Sequence, residues 1–425
     1  MAGHRITILE SATTIGEIGA GIQVSPNLTR QLIRWGLAKR LQEVVVKPEA
    51  LTFRRWCTGE TLAWTQWGDS MEKNYGAPYY HIHRADFHRM MYDLAEPHVN
   101  IRTNCRVVAM DPSIPSLTLR SGEVVRADLV IGADGLKSTT RKYVVGEPDE
   151  PTPTGDAAYR AVIPTEILLA DPDLRGLVET PEMVGWLGPQ RHIMGYNIRA
   201  KKEYNLVMCH PDRDQEEPWK AEESAARMKA EFVGWEPRIQ KLLSLIPSTL
   251  KWKLMDRAPL ETWVHKDGRL ALLGDSCHPM LPYRAQGSAI AIEDAAVLGN
   301  LFSHLSSYAQ IAPLLRAYEA IRYDRATNTQ ASSSLNRVIF HLPDGPEQEK
   351  RDRQMRAAMD NALREARGEP PETSTDTSTK GNANQWADKE KSVIQFGYDA
   401  DEEAEKWWRE YGQSKIGPLG TPSKL

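Results

Sequence analysis

Three acidic residues stand where buried strands would end. Glu10 follows Ile6-Thr7-Ile8-Leu9, Asp134 follows Val130-Ile131-Gly132-Ala133, and Asp275 follows Leu270-Ala271-Leu272-Leu273-Gly274. A carboxylate at a strand end can accept hydrogen bonds from sugar hydroxyls, and beside a phosphate it needs backbone amides to offset its charge. Singly, each such acid reads just as well as a helix cap. Their joint order points to a large cofactor of dinucleotide type, with Glu10 suited to adenosine ribose hydroxyls and Asp275 to a second hydroxyl-rich region. The stretch Gly274 to Gly287 carries the most information, because a small-residue helix, Ser288 to Ala296, follows it. Strand, acidic turn, rigid loop, glycine and helix then succeed one another, which sets helix amides beside a planar, electron-rich ligand.

Other reactive residues say less. Cys277-His278 beside Asp275 invites a nucleophile reading, but sequence neighbours point apart and cannot form the usual relay. The four cysteines, Cys57, Cys105, Cys209 and Cys277, are widely separated. They have neither metal-ligand spacing nor the pattern of a disulfide framework, so no metal is expected and a reducing compartment fits.

These groups need a scaffold, and the chain is long enough to supply one. Its 425 residues suit one large α/β unit or two domains sharing a core. The net charge of -4 has mixed signs, which disfavours a nucleic-acid partner, and Arg199-Ala200-Lys201-Lys202 reads as a solvated turn. No apolar run is long enough to span a bilayer. Apolar spacing predicts helices over 27–36, from Arg84 to about Leu94, over 221–232, 238–246, 295–305 and 311–334. Strands are predicted at 5–10, 105–110, 116–120, 127–132, 159–163, 191–198 and 204–209. In the last long helix Tyr318, Ile321 and Ala326 should pack inward, while Glu319, Arg322 and Arg325 bridge to the preceding unit.

Five segments result: a first cofactor-binding part at 1–155, a substrate domain at 156–265, and a second cofactor-binding part with helices at 266–365. A disordered linker at 366–385 is rich in Glu, Pro, Thr and Ser, and a docking segment with a flexible tail occupies 386–425. Trp386, Phe396, Tyr398, Trp407 and Trp408 should dock that last segment on the body. Ser423-Lys424-Leu425 matches a peroxisomal import tripeptide, preceded by the Pro/Gly segment 417–422. It implies an import receptor as partner and a peroxisomal location, with the cytoplasm as the alternative.

Taken together, the motifs resemble FAD-dependent aromatic-ring monooxygenases of the salicylate hydroxylase group, in particular the fungal type. The resemblance runs through Ile6-Thr7-Ile8-Leu9-Glu10, Gly16-Glu17-Ile18-Gly19-Ala20-Gly21-Ile22-Gln23, Pro26-Asn27-Leu28-Thr29-Arg30 and His83-Arg84-Ala85-Asp86. It continues through Asp128 to Gly135, Gly274 to Gly287, and His341-Leu342-Pro343-Asp344-Gly345-Pro346. It implies an α/β fold: an FAD-binding Rossmann-like domain of glutathione-reductase type, N-terminally truncated, with an inserted substrate domain of mixed β-sheet plus helices. It implies FAD as cofactor, with Glu10, Arg84, Val107, Asp134, Asp275, Gly287 and Ser288 as its contacts. The implied reaction is reduction by NADH or NADPH, then transfer of oxygen from a flavin hydroperoxide to a small phenolic or aromatic carboxylate, with molecular oxygen as co-substrate. The product would be an ortho-dihydroxylated aromatic, with or without loss of a carboxylate. Pro282 would approach the flavin ring. His192 and Tyr196 match the family's substrate-organising pair, and an even offset in a strand puts both on one face. A solvated sheet face is the bland alternative for that pair.

One departure matters. Such a protein carries a GxGxxG turn about 20 residues before its ribose-binding acid, and here Glu10 is already that acid. Gly19-Ala20-Gly21 comes after it and lacks a third glycine at the required offset. The segment is therefore expected upstream of Met1, through a shortened gene model. Two other readings stay open: a truncated remnant acting as a binding or interaction module, and a flavoprotein oxidoreductase acting on a polyketide or isoprenoid intermediate.

Overall fold

A computed structural model describes residues 3–16, 19–213, 221–370, 372 and 381–416. Glu17, Ile18 and the 417–425 stretch with Ser423, Lys424 and Leu425 lie outside the described residues.

The strands, in chain order, are β1 (Thr7–Leu9), β2 (Gly21–Val24), β3 (Ala50–Arg55), β4 (Thr61–Gln66), β5 (Tyr80–His83) and β6 (Asn100–Arg102). Then come β7 (Val107–Asp111), β8 (Ser116–Leu119), β9 (Val124–Arg126), β10 (Val130–Gly132) and β11 (Thr152–Pro164). The last five are β12 (Glu182–Gly188), β13 (Arg191–Ile198), β14 (Glu203–Pro211), β15 (Leu250–Asp256) and β16 (Leu270–Leu272). Seven of them form one sheet in the order β15-β11-β14-β13-β12-β3-β4, in which only β12 and β3 run parallel. Four-residue loops with left-handed backbone are rare outside glycine, yet Arg199, Ala200 and Lys201 adopt one between β13 and β14. Ion pairs from Arg199 to Asp86 and Glu203 accompany that loop.

The alternating strands give the sheet two apolar faces. One buries Trp186, Ile193, Leu206 and Met208 under the helices Ala221–Glu231 and Pro237–Ser244. The other carries Met183, Met194, Tyr196 and Cys209 toward the rest of the molecule. The helix Gly287–Ser303 packs between Pro26–Arg34 and Ile311–Phe340, sharing a core with β2 and β5 on the first side and with β16 on the second. The 17-residue helix Gly287–Ser303 is apolar on nearly all sides and accordingly buried. None of the described helices is long and apolar enough to cross a membrane.

Several expectations need revision. Residues 50–66, assigned to the cofactor-binding part, supply β3 and β4 to the substrate sheet, because β3 pairs with the distant β12. The helix Pro346–Ala366, which charge dominates, runs to the start of the expected linker. Residues 381–385 at the linker's other end are packed rather than loose: Asn384 and Gln385 are each 1% exposed. Strand β1 is not the buried strand its apolar run suggested. Among the described residues it pairs with β6 alone, β10 pairs separately with β16, and Ile6 and Ile8 are 52% and 42% exposed. The aromatic C-terminal segment does dock, with Phe396 buried and Tyr398 beneath the Arg325 guanidinium at 3.8 Å.

Candidate active site

A cavity of about 560 Å³ lies between the open sheet face and the loop that follows β16. Its first wall is built by a turn. Gly274 takes φ +66, which L side chains rarely adopt, and so turns the chain out of β16 to set Asp275 on the cavity. Ser276 holds the turn down, its hydroxyl donating to Gly132 O at 2.6 Å, and buried Arg141 donates to Cys277 O at 3.0 Å. Pro282 lies in the turn Pro282–Arg284, and the chain then enters the helix at Gly287.

Behind this wall sits a buried charge network. His278 Nε2 lies 2.5 Å from Asp294, Arg322 donates to Asp294 at 2.8 Å, and Glu293 receives both Arg322 and Arg325. Asn27 adds a bond to Glu293 at 2.7 Å. Burial opposes a charge on His278, but the Asp294 carboxylate raises it well above the ordinary imidazole range. Cys277, His278 and Asp294 lie close enough to suggest a metal. The 2.5 Å contact between His278 Nε2 and Asp294 Oδ2 has the geometry of an ion pair, and we read the cluster as one. Burial pushes the Cys277 thiol up, which suits an inert side chain and not a nucleophile.

The second wall is the sheet. His192, Met194 and Tyr196 of β13 share the cavity face with Val207 and Cys209 of β14 and Arg160 of β11. Strand β2 closes against this face because Gly21 has no side chain: a Cβ there would lie 2.6 Å from the Tyr196 ring. Gly21 N donates to Asn205 at 2.7 Å, which fixes the approach. His192 is 3% exposed, and burial, with His341 beside it, depresses its basicity well below the usual range. Burial pushes the Tyr196 hydroxyl up to about 12. The pair is on one face, as the offset requires, but no hydrogen bond joins the two among the described residues. Tyr196 stacks near His81 at 4.5 Å, and His192 meets Tyr283 and Phe340, each at 5.3 Å between ring centroids.

The structure thus brings Arg84, His192, Tyr196, Asp275, Pro282, Gly287 and Ser288 to one cavity. Three predicted contacts are not in its wall. Asp134 has its carboxylate occupied by Ser138, Thr139 and Thr140, whose turn leads into a short helix, while its neighbours Ala133 and Gly135 line the cavity. Glu10 accepts from Ala12 N at 2.6 Å and Ser11, and Val107 begins β7, which contributes no residue to the cavity lining. Sequence reasoning missed Arg160, Tyr283, His341 and Trp386. The His341-to-Pro346 motif was the one signal for His341, and it carried no role.

The cavity fits a flavin on two counts. Asp275 is open to the cavity yet enclosed by protein, which raises its carboxyl. Among the described residues no hydrogen bond occupies it. An acceptor so placed suits sugar-like hydroxyls. The helix at Gly287 has no side-chain cap, so its first amides, Gly287 and Ser288, are donors at the positive end of a helix dipole. They would hold the electron-rich edge of a reduced ring.

Residues 1–333 match the family described as FAD binding domain. The chain is 38% identical over 361 residues to "FAD-dependent monooxygenase OpS4" of Beauveria bassiana, covering 84% of each chain. It is 36% identical over 340 residues to the 6-hydroxynicotinate 3-monooxygenase of Bordetella bronchiseptica, 79% of this chain and 86% of that one. Among solved structures, a salicylate hydroxylase substrate complex matches with a TM-score of 0.72 at 23% identity, over 94% of this chain and 97% of that chain, a likeness of fold.

Proposed function

The chain belongs to the FAD binding domain family and is an FAD-dependent monooxygenase, and on that premise we propose that it hydroxylates a small phenolic or aromatic carboxylate substrate with NADH or NADPH as reductant. When bound, FAD would accept electrons from the nicotinamide and supply the activation of dioxygen. The protein's own residues bind the aromatic ring, orient it and handle its proton.

The carrying observation is the pairing of a cation with a weak base on one sheet face. Arg160 lines the cavity, and among the described residues no carboxylate forms an ion pair with it. Its charge is felt by Tyr196 and Cys209, whose anionic forms it favours. A phenolate or carboxylate would be stabilised by that field. His192 is the neutral imidazole placed to take a phenol's proton. Met183, Met194 and Phe340 supply an apolar bed for one ring.

The test is to load the protein with FAD, record flavin difference spectra with salicylate and other hydroxybenzoates, and compare NADH with NADPH oxidation against product formed. Coupled hydroxylation is expected. In His192→Ala the hydroxylation rate should drop about 10²- to 10⁴-fold while FAD stays bound. Nicotinamide oxidation that remains wholly uncoupled with every phenol would defeat the substrate class, and loss of FAD together with activity would make His192 structural.

A further inference from the structure

A second cavity, of about 380 Å³, opens on the far side of the wall behind His192. His341 and Asp156 line it, while His192 lines the inner cavity. The two imidazoles meet through the wall, His192 Nδ1 lying 2.9 Å from His341 Nε2. On the outer side His341 Nδ1 is 3.7 Å from Asp156, which accepts from Tyr283 at 2.9 Å and Arg337 at 2.5 Å. We propose that His341 carries the substrate's proton away from His192, so that the two rings form an exit path from the inner cavity to solvent. This rests on the phenol reading above and extends it.

His192 is a poor place to leave a proton, since burial and the neighbouring ring disfavour its charged form. His341 is also held low, at about 4, by burial, with Arg337 and Arg191 lowering it and Asp156 raising it. The groups facing His341 are therefore Asp156 of β11, Arg191 and His192 of β13, Tyr283 of the turn after Leu281, and Arg337 on its own helix. Two neutral rings can still relay, because each has one N–H and one lone pair. The phenol O–H bond breaks, its electron pair stays on oxygen, and the proton joins Nε2 of His192. The proton on Nδ1 of His192 passes to Nε2 of His341. The proton on Nδ1 of His341 leaves to water in the outer cavity. One proton has moved, no charge remains on the pair, and both rings have changed tautomer. Return of a proton when the product leaves as a phenol restores them.

His341 acts through His192 and so is a positioning and relay residue. The FAD-loaded protein is mixed rapidly with para-nitrophenol, and nitrophenolate is followed by absorbance while a soluble pH indicator reports proton release. His341→Gln keeps an acceptor for His192 but cannot hand a proton on. It should retain FAD and reach the same final ionisation, at a rate roughly tenfold or more below wild type. In His341→Gly, added imidazole should restore the rate, a rescue that a merely structural role would not give. Full-rate ionisation in His341→Gln overturns the relay alone. No ionisation in the wild-type protein overturns the phenol reading and the relay with it.

Discussion

His278 Nε2 stands 2.5 Å from Asp294 Oδ2, and neither side chain reaches solvent. Asp294 also accepts from Arg322 at 2.8 Å and from the Gly274 amide at 3.1 Å. One carboxylate thus ties the cavity turn to the two long helices behind it. Removing one partner of a buried pair leaves the other uncompensated, which typically costs about 3–5 kcal/mol. Asp294→Asn should lose stability on that order in denaturant unfolding, and flavin occupancy should drop with it.

The same pair sets a pH window. His278 is raised, so its contribution is complete below the unfolded value of 6.5 and fades as pH climbs through the folded value. Asp294, lowered by His278 and Arg322 against the effect of burial, contributes above 3.8 and is lost as pH falls through its folded value. Both act in full between those limits. The melting temperature should decline as pH rises above 6.5, and His278→Gln should flatten that decline.

Gly274 offers a local test. An added Cβ would lie 3.1 Å from the Ala291 Cβ, on a backbone at φ +66. Left-handed backbone costs an L-residue about 1–2 kcal/mol. Gly274→Ala should lose at least that in stability and should lower bound flavin per chain more than its stability loss explains, because Asp275 is displaced.

Arg160→Gln separates anion recognition from packing. Losing a charge-assisted contact worth about 1.5–3 kcal/mol should raise KM for a hydroxybenzoate roughly 10- to 100-fold. KM for a neutral phenol should change far less. Steady-state kinetics on the two substrates makes the comparison.

Trp386 reaches the cavity from the C-terminal segment and stacks near Phe340 at 6.2 Å, with the Arg284 guanidinium 4.8 Å from its ring. Trp386→Ala should destabilise by about 3–5 kcal/mol. The milder Trp386→Phe, which keeps a ring, should shift preference toward bulkier aromatics, read as a ratio of kcat/KM values. Unchanged ratios would remove Trp386 from substrate selection.

Local signals made part of this legible. The Arg191–Ile198 strand was visible as a short local segment of strand-like composition, and Arg322 was visible as a bridge from helical spacing. Strands β3 and β4 were hidden, since what makes them part of the substrate sheet is a partner far along the chain. Asp134 shows the opposite problem: strand-end acids that cap a turn and those that meet a ligand look alike until the hydroxyls of Ser138 and Thr140 are in place. His341 gained meaning only when tertiary packing put it against His192.

The parallel pairing of β3 with β12, Ala50 beside Glu182 through Arg55 beside Leu187, also governs how the chain assembles. Long-range strand pairing must close a large loop before it gains anything, and such contacts slow folding. The substrate sheet therefore cannot be completed early, however quickly the β12–β14 hairpins form. Nor is 156–265 a detachable module. Excised, it would present β12 as a raw edge and bare the surface that Leu51 and Phe53 cover, an invitation to aggregate.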